Sequence, residues 1–302
     1  MVTPHSQDLH ARPRKFQRLA RKAELYQLQT SQHLSKYLKL RNATHQSSAS
    51  VVVSMAQLGL DFPTAWGRRY SARIFRHMYQ SYYVAPYIKY MASLKVVGIE
   101  NIQGERPIIF VANHTSNLDT PLTIAAFPAK VRSHTVVAGA MDTFFMKRVS
   151  AFRAVLRFNV IPIDRHKVNR RSSQLAIEVL EDKWNLLLFP EGGRTPDGNL
   201  QQFKGGAAYL AERTNATIIP IYIHDIGYLR GPKYAKAPKY IKGPSQSRHP
   251  VTVAFGKPLK CGDGENIRKF NTRIEDAVVA LGREISGDNS YSVSRPSENS
   301  DS

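Results

Sequence analysis

His114 and Asp119 stand in the segment VANHTSNLDTPL (111–122), separated by four residues. An imidazole held at one nitrogen by a carboxylate can take a proton from a hydroxyl at the other, and the carboxylate then stabilises the imidazolium. No regular element brings this pair together. Residues five apart on a helix point away from each other, and odd offsets on a strand fall on opposite faces. The two can meet only where the chain curls between a strand and a helix, at the carboxyl edge of an α/β sheet, where such folds gather chemistry. Two ordinary readings compete: Asp119 as a helix N-cap ahead of Thr120 and Pro121, and His114 as a satisfied loop histidine. No serine sits in a G-x-S-x-G elbow, so the attacking hydroxyl is expected to belong to a substrate.

A second segment, LLLFPEGGRT (186–195), follows an apolar run with Glu191, Gly192, Gly193 and Arg194. The glycines permit close backbone approach or positive φ, and the arginine offers a planar fork matched to phosphate. Glu191 has two candidate partners, a substrate hydroxyl or Arg194 itself. Arg165 in IPIDR and Lys204 in FKGGA complete three cations near strand ends, which together would form a phosphate clamp. Taken singly, each is as well read as a surface charge.

The elements that must position these groups alternate between Leu94 and Leu281, which predicts an α/β fold: a single sheet, mostly parallel or mixed, flanked by helices, with an N-terminal helical region. Strands are expected at 107–113, 135–139, 158–163, 185–190, 217–223 and 251–256. Helices are expected from Thr120 and over 142–156, 171–183, 205–213 and 265–285. Residues 62–95 read as helical and tyrosine-rich, bent or divided at Pro86. Four regions follow: a basic arm at 1–42, helical or partly disordered; a helical membrane-interface region at 43–94; the main domain at 95–286; and a disordered Ser/Asn/Asp-rich tail at 287–302. A Lys/Gly/Pro-rich loop is expected at 228–250.

The net charge of +20 on 302 residues points to anionic partners: nucleic acid, membrane surface, or phosphates and coenzyme A. The single cysteine, Cys261, excludes an internal disulfide and any multi-cysteine metal site. The histidines lack ligand spacing, so no metal is expected. Neither a secretory signal nor a spanning helix is apparent. Tyrosines at 70, 79, 82, 83, 87 and 90 suit a membrane interface or a helix packed on the core.

NHTSNLD (113–119), the Arg165 segment, FPEGGRT (189–195) and IIPIYI (218–223) occur in the order of the four motifs of glycerolipid acyltransferases, which this chain resembles over roughly residues 95–260. The resemblance implies an O-acyltransferase in which His114 with Asp119 deprotonates the acceptor hydroxyl. It implies that Arg165, Glu191, Gly192 and Arg194 position a glycerol phosphate, and that Pro220 lies beside the acyl-binding region. Two departures stand out: Gly193 replaces the usual threonine, and Phe158-Asn159 stand where a glycine usually precedes the second-motif strand.

The expected reaction moves an acyl group from acyl-coenzyme A or acyl carrier protein to a lysophospholipid, 1-acylglycerol-3-phosphate giving phosphatidic acid. The thioester is a co-substrate, and no cofactor is expected. The expected setting is peripheral, on the cytoplasmic face of an anionic membrane. Two alternatives are a catalytically silent lipid- or acyl-carrier-binding protein of the same fold, and a basic nucleic-acid-binding protein. The latter lacks any helix-turn-helix, zinc-finger or RNA-binding aromatic signature.

Overall fold

Short runs rich in Ile, Val and Leu become strands here because both faces of the sheet are covered. In the computed structural model, residues 58–102, 104–165, 170–193, 200–224 and 249–294 are described. All belong to the second of two units, Met1–Ala56 and Gln57–Ser302. The expectations for the arm at 1–42, for its connection to residue 57 and for the loop up to residue 248 fall outside the described residues.

Seven strands form one sheet: β1 (Ala92–Val97), β2 (Ile108–Ala112), β3 (Thr135–Ala140), β4 (Val160–Ile163), β5 (Asn185–Leu188), β7 (Thr217–His224) and β8 (His249–Phe255). Their spatial order is β1-β8-β7-β2-β5-β3-β4. Strands β7, β2, β5, β3 and β4 run parallel, while β8 is antiparallel to β7 and carries β1 with it. The expected mixed sheet is therefore present. A separate parallel pair joins β6 (Leu200–Gln201) to β9 (Val293–Ser294).

The strand period of two sorts side chains between two cores. Ile108, Phe110 and Ala112 enter one, with Leu187, Ile219 and Ile221. Ile109 and Val111 enter the other, with Leu186, Leu188 and Ile218. Helices α2 (Ala85–Met91), α3 (Asp119–Ala126) and α4 (Arg148–Phe158) cover the first face. Helices α5 (Arg170–Glu181), α6 (Gly206–Thr214) and α7 (Ile267–Ser286) cover the second. Each fully buried Ile, Leu or Phe contributes about 1.5–3 kcal/mol, enough in sum to hold the layers.

Helix α1 (Tyr70–Tyr79) is tied to α4 by buried donors. The Arg76 guanidinium donates to the Gly67 carbonyl at 2.8 Å and to that of Val155 at 3.4 Å. Burial, with Arg73 and Arg68 nearby, pushes its pKa down to about 10. Gln80 adds a bond to the Arg157 carbonyl at 3.0 Å.

Three expectations need correction. Residues 62–95 are not helical to their end: α1 passes through a wide π turn at Gln80–Val84 into α2, and β1 begins at Ala92. Pro86 lacks an N–H, and the wide turn precedes it. Pairing of Ala92–Val97 with residues 249–254 outweighs the local helical preference, so the boundary expected at 94/95 falls inside β1. The helix expected over 142–156 is divided into a single turn, Met141–Phe144, and α4, with buried Phe145 between them. The tail is not disordered from residue 287: Gly287 ends α7 in the left-handed conformation, an Asp288–Tyr291 turn follows, and β9 pairs with β6. Residues 295–302 lie outside those described.

Candidate active site

Because β2, β5 and β4 are parallel, their carboxyl ends lie at one edge of the sheet and deliver three loops there. The loop after β2 carries His114, that after β5 carries Glu191 and Gly192, and that after β4 carries Arg165. His114 Nδ1 lies 2.7 Å from Asp119 Oδ2, and Asp119 is fully buried. The same oxygen accepts the backbone N–H groups of Thr115 at 2.7 Å and Ser116 at 2.8 Å. One carboxylate thus folds the loop and orients the ring. The N-cap of α3 is Leu118, with no side-chain cap bond, so the capping alternative for Asp119 is not realised. The imidazole stacks on Phe189 at 4.3 Å between ring centres.

Glu191, only 4% exposed, binds backbone at both ends of its carboxylate. Oε1 accepts the His114 N–H at 2.6 Å and Oε2 the Gln201 N–H at 2.9 Å. Gly192 has φ +71°, and an added Cβ would stand 2.5 Å from Lys204 Nζ, so the position requires glycine. Gly193 has no such need: a Cβ there would meet no atom within 4 Å. Asn159 ends α4 in the left-handed conformation, and its Nδ2 donates to the Thr135 carbonyl at 3.2 Å. It supplies the backbone geometry for which glycine is the usual choice.

Lys204 Nζ donates to the Arg165 carbonyl at 2.6 Å, bringing two of the three expected cations together. The Arg165 guanidinium meets Asp142 through Nε at 3.0 Å and Nη2 at 2.6 Å, a partnership that no local spacing announces. Arg194 lies outside the described residues. His114, Arg165, Gly192 and Lys204 line a cavity of about 1380 Å³, whose walls include apolar Val137, Phe144, Val149 and Leu210. Pro220 does not line it. It sits inside β7 opposite Val111, and its carbonyl accepts the Gly256 N–H at 2.8 Å. Among the described residues, no group of three or more His, Cys, Asp or Glu could hold a metal ion.

Sequence reasoning passed over Asn113, although it stands inside the motif. Its Nδ2 donates to the Ile223 carbonyl at 3.1 Å, and its Oδ1 accepts the Ile223 N–H at 2.8 Å. The side chain thereby extends the β2–β7 ladder to the residue before His114.

This arrangement, a His–Asp pair at the carboxyl edge of a mixed α/β sheet beside a large part-apolar cavity, defines a class that comparison makes explicit. A family model described as Acyltransferase matches residues 93–224. The 1-acyl-sn-glycerol-3-phosphate acyltransferase of Saccharomyces cerevisiae is 30% identical over 229 residues, covering 71% of this chain and 66% of that protein. The alpha enzyme of that name from Ovis aries is 26% identical over 207 residues, covering 67% and 68%. The chloroplastic one from Arabidopsis thaliana is 25% identical over 164 residues, covering 51% of this chain but only 42% of the relative. The crystal structure of the 1-acyl-sn-glycerophosphate acyltransferase PlsC from Thermotoga maritima shares the fold, with TM-score 0.51 at 20% identity, covering 74% of this chain and 82% of that one. The chain belongs to the glycerolipid acyltransferase family.

Proposed function

We propose that the protein transfers a fatty acyl group from an acyl thioester, acyl-coenzyme A or acyl carrier protein, to the hydroxyl of a lysophospholipid, with 1-acylglycerol-3-phosphate as acceptor and phosphatidic acid as product. The observation that carries this reading is the 2.7 Å His114–Asp119 contact beside a cavity holding both cations and apolar walls. His114 takes the hydroxyl proton as the oxygen attacks the thioester carbonyl. Collapse of the tetrahedral intermediate breaks the carbon–sulfur bond, and the imidazolium returns the proton to the leaving thiolate. Asp119 holds the ring and stabilises its charged form. Arg165, Lys204 and Arg194 receive the acceptor phosphate, and Gly192 leaves room for Lys204. The reaction as written calls for no cofactor.

The same reading includes a peripheral site of action on the cytoplasmic face of an anionic membrane. No described helix is long and apolar enough to cross a bilayer. Along α1 and the π turn that follows it, Tyr70, Met78, Tyr82 and Tyr83 are exposed, with Tyr82 at 79%. A second exposed set, Phe144, Met146, Val149 and Phe152, alternates with the cations Lys147, Arg148 and Arg153. Phe144, Lys147, Val149 and Arg153 also line the cavity. Apolar and aromatic groups among cations suit an anionic lipid interface.

The test is purified protein given several acyl-coenzyme A and acyl-carrier-protein donors with a panel of lysolipid acceptors, products read by mass spectrometry. Phosphatidic acid formed from 1-acylglycerol-3-phosphate is the expected result. Ester formation on another lysophospholipid alone would refute the acceptor, and no transfer to any acceptor would refute the activity.

A further inference from the structure

The contacts of residues 288–294 lead to the catalytic histidine through an unbroken series. Val293 and Ser294 of β9 pair with Leu200 and Gln201 of β6. The Gln201 N–H is bound by Glu191, whose other oxygen binds the His114 N–H. The segment is itself held at three points. Tyr291 packs edge-on against Tyr222 of β7 at 5.2 Å. The Tyr291 ring also fills the space where a Cβ on Gly282 would stand 2.6 Å from its Cε1. Its carbonyl accepts from Arg283 Nε at 2.8 Å. Burial raises the Tyr291 phenol pKa most, with further rises from Tyr222 and from the charge of Glu191, which places the ring within reach of that carboxylate's field.

We infer that residues 288–294 form a strap that positions His114: Tyr291 and β9 hold β6, β6 holds Glu191, and Glu191 holds the His114 backbone. Tyr291 is a positioning residue, remote from the reacting atoms. Nothing in the sequence motifs includes this segment. The role of Glu191 is then to fix the loop that carries the base, using both carboxylate oxygens on backbone. Without the strap, β6 loses its only strand partner among the described residues, and Glu191 keeps one of two restrained donors.

The inference rests on the acyl-transfer reading for its kinetic arm but not for its structural arm. Full-length Tyr291→Ala and Arg283→Ala, with Tyr291→Phe as the variant that keeps the ring, are compared with the parent. Backbone hydrogen exchange is followed by mass spectrometry in two peptides, one over 113–118 and one over β2. Tyr291→Ala and Arg283→Ala should speed exchange over 113–118 and leave β2 protected, and Tyr291→Phe should restore the parental rate. Turnover should fall in the same two variants, by about tenfold for Tyr291→Ala, with both KM values held within about twofold. Unchanged exchange over 113–118, or equal acceleration through β2, overturns the strap. Arg283 is exposed, so its variant tests the same link if Tyr291→Ala folds poorly. A parent that protects 113–118 but transfers no acyl group would sink the activity and leave the coupling measurable.

Discussion

Asn113 binds the backbone of Ile223 through both ends of its side-chain amide, at 3.1 and 2.8 Å, across 110 residues of sequence. The amide imitates one more residue of strand pairing, so β2 stays registered on β7 up to His114. Asn113→Ala should cost about 2–3 kcal/mol, since two buried backbone groups lose their partner. Chemical denaturation measures this, and turnover per folded molecule should fall as well. A variant as stable as the parent would show that water replaces the amide.

On the proposed mechanism, His114→Ala should lower kcat by about 10²–10⁴-fold and leave vesicle binding intact, because the general base is lost and no cation leaves the surface. Asp119→Asn should also lower kcat by more than about tenfold. Asn keeps a hydrogen-bonding shape at the loop but cannot stabilise the imidazolium. If Asp119→Asn changes only the melting temperature, the carboxylate serves the loop alone.

The two neighbouring glycines should behave oppositely. Gly192→Ala meets both a positive φ and Lys204, and should cost about 1 kcal/mol or more while raising the KM of a phosphate-bearing acceptor. Gly193→Thr restores the more usual motif residue where space is open, and should change stability by no more than about 0.5 kcal/mol. Thermal melts and acceptor titrations on the two variants check the pair.

Met146→Asp with Phe152→Asp should weaken flotation with anionic vesicles, since Met146 is 49% and Phe152 50% exposed and neither lines the cavity. High salt should release the parent only in part, because screening removes the contribution of the cations and not that of the apolar groups. Turnover on dispersed, short-chain acceptor should survive the double change. Undiminished flotation would place membrane contact elsewhere on the chain.

Much of this molecule follows from period and punctuation. The apolar run at 107–113, the strand-turn-helix spacing of His114 and Asp119, and the glycine at 192 are local signals, and the structure places them as expected. What escaped detection depends on residues distant in sequence. β1 is a strand only because residues 249–254 lie beside it. β9 is two residues long, too short for any period, and its Ser/Asn/Asp surroundings read as disorder until Tyr291 is seen packed on Tyr222. The Asp142–Arg165 pair and the Asn113 amide likewise leave no mark in their own neighbourhoods.

The position of β2 in the sheet has a consequence for biosynthesis. Every residue of Ile108–Ala112 is buried, between β7 and β5, yet both neighbours are encoded far downstream. At a synthesis rate of about 5–20 residues per second, β2 leaves the ribosome some ~5–20 s before β7. Until β5 emerges, about 4–15 s into that interval at the same rate, an uncharged, sticky strand has no neighbour to pair with. Yield in a cell should therefore depend on chaperones that shield nascent chains, and slower translation should lengthen the exposure.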